Sequence, residues 1–146
     1  MMNTFSQREI TRPGSTASAQ LFDVFNGDAD GICALHQWRM AFPAETELIT
    51  GTKRDISLLD QIDAREGDAV SVFDLGFDQN CDAAERLLER GATITYFDHH
   101  SAARRFAHPK LDLHCDDSAQ VCTSLLVNTY LNNRFPAWAV AAAFGD

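Results

Sequence analysis

The sequence predicts an α/β domain: a parallel β-sheet with helices on both faces. Three observations lead there. Short apolar runs of strand character recur at residues 21–25, 47–50, 69–73 and 92–97. Stretches of helical periodicity alternate with them. Three of the runs end in segments rich in Asp and His, and in such sheets ligands bind beyond the carboxyl ends of the strands.

Residues 1–19 are rich in Ser, Thr, Gln and Arg, carry Pro13-Gly14 and show no sustained periodicity. They read as a mobile arm ahead of a domain over residues 20–146. Leu21-Phe22-Asp23-Val24-Phe25 is an apolar strand, broken by Asn26-Gly27-Asp28-Ala29-Asp30-Gly31. A helix over residues 32–40 follows, with Ile32, Leu35, His36 and Arg39 on successive turns and Pro43 as its stop. After the strand at 47–50, Asp55 or Ser57 is placed to cap a short helix carrying Leu58, Leu59 and Ile62. The strand Ala69-Val70-Ser71-Val72-Phe73 ends at Asp74. Asp78 is the expected cap of the next helix, which buries Cys81, Ala84, Leu87 and Leu88, pairs Asp82 with Arg86, and stops at Gly91. The β-prone run 92–97 ends at Asp98-His99-His100. Residues 101–117 read as irregular. Ser118 is expected to open a helix through Val121, Leu125 and Leu126 to about Leu131, and Pro136 to start a last apolar segment, helical or strand-like, through Phe144. Phe5, Trp38 and Trp138 read as packing residues, and His36, His108 and His114 as core or surface histidines.

A chain of 146 residues with 45% apolar and 23% charged residues is an ordinary globular composition. Its net charge of −9 repels nucleic acid phosphates unless cations intervene. No apolar run approaches a membrane span, and the N-terminus lacks the apolar core of a signal peptide. The four cysteines, Cys33, Cys81, Cys115 and Cys122, have no C-x-x-C spacing. They read as reduced thiols in a cytoplasmic protein.

The chemistry gathers at the strand ends. Asp28-Ala29-Asp30 follows the first strand, Asp74 the third, and Asp98-His99-His100 the fourth. An Asp after one strand is an ordinary turn residue or cap. Three such segments at equivalent ends form a mixed oxygen and nitrogen donor set suited to Mn²⁺, Mg²⁺ or Zn²⁺, with Mn²⁺ the best compromise. Gathered carboxylates repel one another until cations neutralise them, and two ions about 3.5–4 Å apart are the usual arrangement in phosphoryl transfer. Gly27 and Gly31 allow a tight turn, and Gly31 leads into a helix N-terminus that favours phosphate. Lys53, Arg54, Arg104 and Arg105 are further candidate phosphate contacts. No basic stripe with interleaved aromatics marks a long nucleic acid track.

Asn26-Gly27-Asp28-Ala29-Asp30-Gly31 resembles the first motif of the DHH phosphoesterase superfamily, and Val72-Phe73-Asp74 its second. Asp98-His99-His100 is similar to the signature that names it. Cys122-Thr123-Ser124-Leu125-Leu126 resembles the helix before the fourth motif, and Ala143-Phe144-Gly145-Asp146 that motif's end. The resemblance spans about Leu21 to Asp146 and implies a three-layer α/β/α catalytic domain. That superfamily includes RecJ-like exonucleases, oligoribonucleases, cyclic dinucleotide phosphodiesterases and family II pyrophosphatases. The resemblance implies Asp28, Asp30, Asp74, His99 and Asp146 as ligands of two Mn²⁺ or Mg²⁺ ions, with Asp74 bridging. Asp74, His99 and His100 would be the catalytic residues, His100 facing the substrate phosphate. Asp98 would orient His99 or the loop, and a metal-activated water would attack phosphorus.

Asn26 stands where many relatives carry Asp or His, which weakens one ion site or changes how it is completed. Asp146 is the final residue, where relatives continue into an accessory C-terminal domain, so that domain is expected to be absent. The implied activity is hydrolysis of phosphodiester bonds in short single-stranded oligonucleotides or small nucleotides. Alternatives are a pyrophosphatase and a degenerate metal-binding fragment. A phosphorylated receiver domain is disfavoured, because it needs a Lys after its last strand and has no use for the His pair. Asp74→Ala is expected to abolish metal-dependent activity with the fold intact or stabilised.

Overall fold

A computed structural model describes residues 10–146. Five strands, β1 (Leu21–Asn26), β2 (Glu47–Gly51), β3 (Ala69–Phe73), β4 (Thr93–Asp98) and β5 (Leu111–Cys115), form one sheet in the order β2-β1-β3-β4-β5. Every neighbouring pair is parallel. The helices are α1 (Ala29–Ala41), α2 (Phe77–Glu89), α3 (Thr123–Tyr130) and α4 (Pro136–Gly145), with a short 3₁₀ turn over Leu58–Gln61.

The two-residue period of a strand sorts the core onto both faces. Val24, Val72 and Tyr96 lie in register and pack towards α2 and the 3₁₀ turn, against Leu58, Phe77, Ala84 and Leu87. Phe73 and Phe97, one residue further on, pack the other way, against Ala34, Leu35 and Trp38 of α1 and Val127 of α3. Buried Trp38 meets Phe42, Phe73, Phe97 and Tyr130 at ring-centroid distances of 4.7–5.7 Å.

Several expectations need correction. β5 lies inside the stretch read as irregular; its alternation, Leu111-Asp112-Leu113-His114-Cys115, extends over only five residues. The helix expected from Ser118 begins at Thr123 instead, because Ser118 closes a turn on Asp116. The buried side of α1 is Cys33, Ala34, Leu35, Gln37 and Trp38, while Ile32 and His36 are exposed. Neither expected cap holds the 3₁₀ turn. Ser57 makes no side-chain cap, and Asp55 accepts from the Thr52 amide and hydroxyl. Asp78 lies inside the first turn of α2 and accepts instead from the amides of Ala103 and Arg104. Asp82 pairs with Arg104 and Arg86 with Asp60, in place of the expected Asp82–Arg86 pair. The last segment is helical, as α4, and Gly91 has the left-handed φ of +95° that suits a helix stop.

Of the expected arm, residues 1–9, with Phe5, lie outside the described residues. Residues 10–19 are tethered to the sheet. The Arg12 guanidinium donates to Asp23 Oδ1 at 2.6 Å and to the Phe42 carbonyl at 3.4 Å, and lies over Trp38. Thr46 donates to the other Asp23 oxygen at 2.8 Å. All four cysteines are free thiols.

Candidate metal centre

The carboxyl ends of β1, β3 and β4 meet at one sheet edge, and the strand period divides their side chains between its two faces. Asp98 follows Tyr96 by two residues and so turns towards α2, where it is fully buried. Its Oδ2 accepts from the Phe77 amide at 3.1 Å, and its Oδ1 meets His100 Nδ1 at 2.6 Å. His99 follows Phe97 by two and turns towards α1, α3 and α4. Its Nε2 lies 3.3 Å from Asp74 Oδ1, 3.6 Å from Asp30 Oδ2 and 3.8 Å from Asp146 Oδ2. Asp98 therefore orients His100, not His99.

Asp30 and Asp74 are almost wholly buried carboxylates, and burial without partners is costly. Asp30 finds its partners at the start of α3: Oδ2 accepts from the Thr123 amide at 2.9 Å and Oδ1 from the Ser124 amide at 2.8 Å. A helix N-terminus presents unpaired amides and a positive dipole end, so the pairing serves both sides. Ser124 Oγ adds a bond to the Asp30 carbonyl, and Thr123 Oγ1 donates to Asp74 Oδ1 at 3.0 Å. Thr123 and Ser124 carry no sequence expectation as site residues. Their signals are the motif resemblance of residues 122–126 and two adjacent hydroxyl residues near a helix start.

Charge crowding shows in the proton affinities. Burial, with Asp30 and Asp28 nearby, pushes the Asp74 carboxyl up from 3.8 to about 7, and the His99 contact only partly opposes this. The hydrogen bond to Asp74 raises His99 from 6.5 to about 9, against its desolvation. The Asp98 contact raises His100 as well. Asp74 also has a left-handed φ of +62°, a conformation that Asp tolerates better than most residues.

Asp74, His99 and His100 offer ligand atoms within 4.8 Å of one another, and so do Asp30, His99 and Asp146. On the α2 side a cleft of about 350 Å³ opens beside Asp74, lined by Asn26, Lys53, Ile56, Gly76, Gln79 and His100 among others. Asn26 is 8% exposed, and its buried Oδ1 has no hydrogen-bond partner among the described residues. A buried acceptor without a donor, beside crowded carboxylates and an imidazole, fits a divalent cation.

The remaining candidates divide. Asp28 caps α1 through the Gly31 amide at 3.0 Å, and Lys53 Nζ lies 3.8 Å from its other oxygen at the cleft mouth. The Gly31 amide is thus already engaged. A Cβ there would fall 2.1 Å from the Asn26 carbonyl, so close packing on β1 requires this glycine, not phosphate contact. Arg54 lines a separate surface groove. Arg104 is held on Asp82 at 2.5 Å, and exposed Arg105 is not among the residues lining the cleft.

No family model and no curated protein matches the chain. Solved structures do. An uncharacterized protein from Helicobacter pylori G27 superposes with a TM-score of 0.54 at 19% identity, over 80% of this chain and 37% of that one. Exonuclease RecJ bound to manganese superposes with a TM-score of 0.51 at 15% identity, over 86% of this chain and 37% of that one. At these identities the likeness is one of fold, and the chain spans little more than a third of either neighbour. Among the described residues no helix is long and apolar enough to cross a membrane.

Proposed function

We propose that the chain is the metal-holding part of a divalent-metal-dependent phosphoesterase, acting on phosphodiester bonds of short oligonucleotides or small nucleotides. One observation carries the reading: buried Asp30 and Asp74 converge with Asp146 on His99 Nε2, beside the unpartnered Asn26 oxygen. The motif resemblance and the fold shared with a manganese-bound exonuclease support it.

A divalent ion bound there supplies Lewis-acid charge and lowers the pKa of a coordinated water. The chain's own groups do the rest. One nitrogen lone pair serves one ion, so His99 can complete only one of its two ligand groups at a time. A second ion would rest on Asp74 and Asn26, with His100 left to the substrate. Asp98 engages His100 Nδ1, which leaves Nε2 for a substrate in the cleft. The raised proton affinity of His100 favours its cationic form, suited to hold a phosphoryl oxygen or protonate a leaving one. Lys53 adds positive charge at the mouth, and Ile56 and Leu75 an apolar wall.

Mn²⁺ titration by calorimetry, paired with hydrolysis assays on short oligonucleotides and on pyrophosphate, tests the proposal. Wild type is expected to bind Mn²⁺ and cleave the oligonucleotide, and Asp74→Asn to lose both. Turnover unchanged in folded Asp74→Asn would sink the site. Orthophosphate release from pyrophosphate alone would replace the substrate class, and binding without any turnover would leave a metal-binding fragment.

A further inference from the structure

We infer that Thr123 is a positioning residue of the metal centre, and that α3 sets the ligand geometry through its first turn. The inference rests on the proposed centre and adds to it an element that contributes no ligand. Three features carry it. Thr123 and Ser124 are fully buried, so their polar atoms have no water to turn to. Both oxygens of Asp30 are engaged by consecutive amides of one helix turn, which fixes the plane of that carboxylate. The same Thr123 that gives its amide to Asp30 gives its hydroxyl to Asp74, so one residue ties ligands from two strand ends to a common frame.

The consequence is geometric. Each Asp30 oxygen spends one acceptor site on α3 and keeps the other for a cation. Asp74 Oδ1, facing His99 Nε2 at 3.3 Å, is held by the Thr123 hydroxyl, and the Asp74 carboxylate cannot rotate away without breaking that bond. Partners of this kind orient ligands, and removing one typically lowers metal affinity by about 10–100-fold. Because α3 also packs on α1 and α4, it gives the Asp30 and Asp146 elements a shared support.

Thr123→Val keeps shape and removes the hydroxyl, and Thr123→Ser restores it. Calorimetric Mn²⁺ affinity of the whole chain, with metal-free melting as a control, separates positioning from packing. Expected are affinity at least about tenfold weaker in Thr123→Val and within about threefold of wild type in Thr123→Ser. Wild-type affinity in Thr123→Val, or equal loss in both variants, overturns the positioning role and leaves the centre standing. A wild type that binds no Mn²⁺ overturns both. If Thr123→Val does not fold, Thr123→Ala takes its place, with the same expected loss and the same rescue by Ser.

Discussion

At the scale of single residues, the proposed centre is a balance of protons, which a cation bound there would displace. A His raised from 6.5 to about 9 adds stability that is complete below pH 6.5 and lost as pH climbs through about 9. A carboxyl raised from 3.8 to about 7 takes stability away as it ionises across that range. Both signs make these two groups withdraw stability from the metal-free protein as pH rises from about 4 to about 9. A cation needs neutral His99 and ionised Asp74, so Mn²⁺ affinity should climb between pH 6.5 and 8.5, by up to about tenfold per unit for each proton displaced. Calorimetry at several pH values checks this, and a flat profile would remove His99 from the ligand set. The left-handed φ of Asp74 changes the mutational expectation. Alanine there adds backbone strain of about 1–2 kcal/mol, which offsets any relief of repulsion. Asp74→Asn keeps the tolerated conformation and removes the charge. It should melt at or above the wild type without metal, and Asp74→Ala below Asp74→Asn by about 1–2 kcal/mol.

At the scale of elements, strands were easier to read than their partners. β1 to β4 were legible as short apolar runs, three of them ending at acidic turns, and the rule that ligands gather beyond parallel strand ends brought Asp28, Asp30, Asp74 and Asp98-His99-His100 to one edge. β5 was hidden in a polar segment where only five residues alternate. That Asp98 holds His100 and not His99 needed the direction of β4, whose period sends neighbouring residues to opposite faces. Asp78, Asp82 and Arg104 show the limit of local rules: each follows a plausible cap, helix-pair or phosphate pattern, yet pairs across the loop after β4. Residues 10–19 hold to the sheet through a buried ion pair that no local pattern announces. Arg12→Ala strands Asp23 at zero exposure and should cost about 3–5 kcal/mol, whereas Arg12→Met with Asp23→Leu should fall close to wild type. Urea denaturation of both checks it; equal losses would mean the pair acts through packing alone.

At the scale of the whole molecule, fold class was the most legible property and the centre's supports the least. Composition and alternation bound the architecture because burial obeys period. Thr123 and Ser124 reach Asp30 across more than ninety positions of chain, a pairing set by where α3 docks and not by any spacing. The all-parallel sheet has a further consequence. Not one of its four strand pairings is a hairpin, since each pair is parallel and needs an intervening crossover. Among the described residues there is therefore no hairpin to serve as a local β nucleus, and β1, which pairs with both β2 and β3, must wait for distant segments before its hydrogen bonds are met. Until then its Leu-Phe-Asp-Val-Phe run is an open, sticky edge, so refolding should be slow and most prone to aggregation at its start.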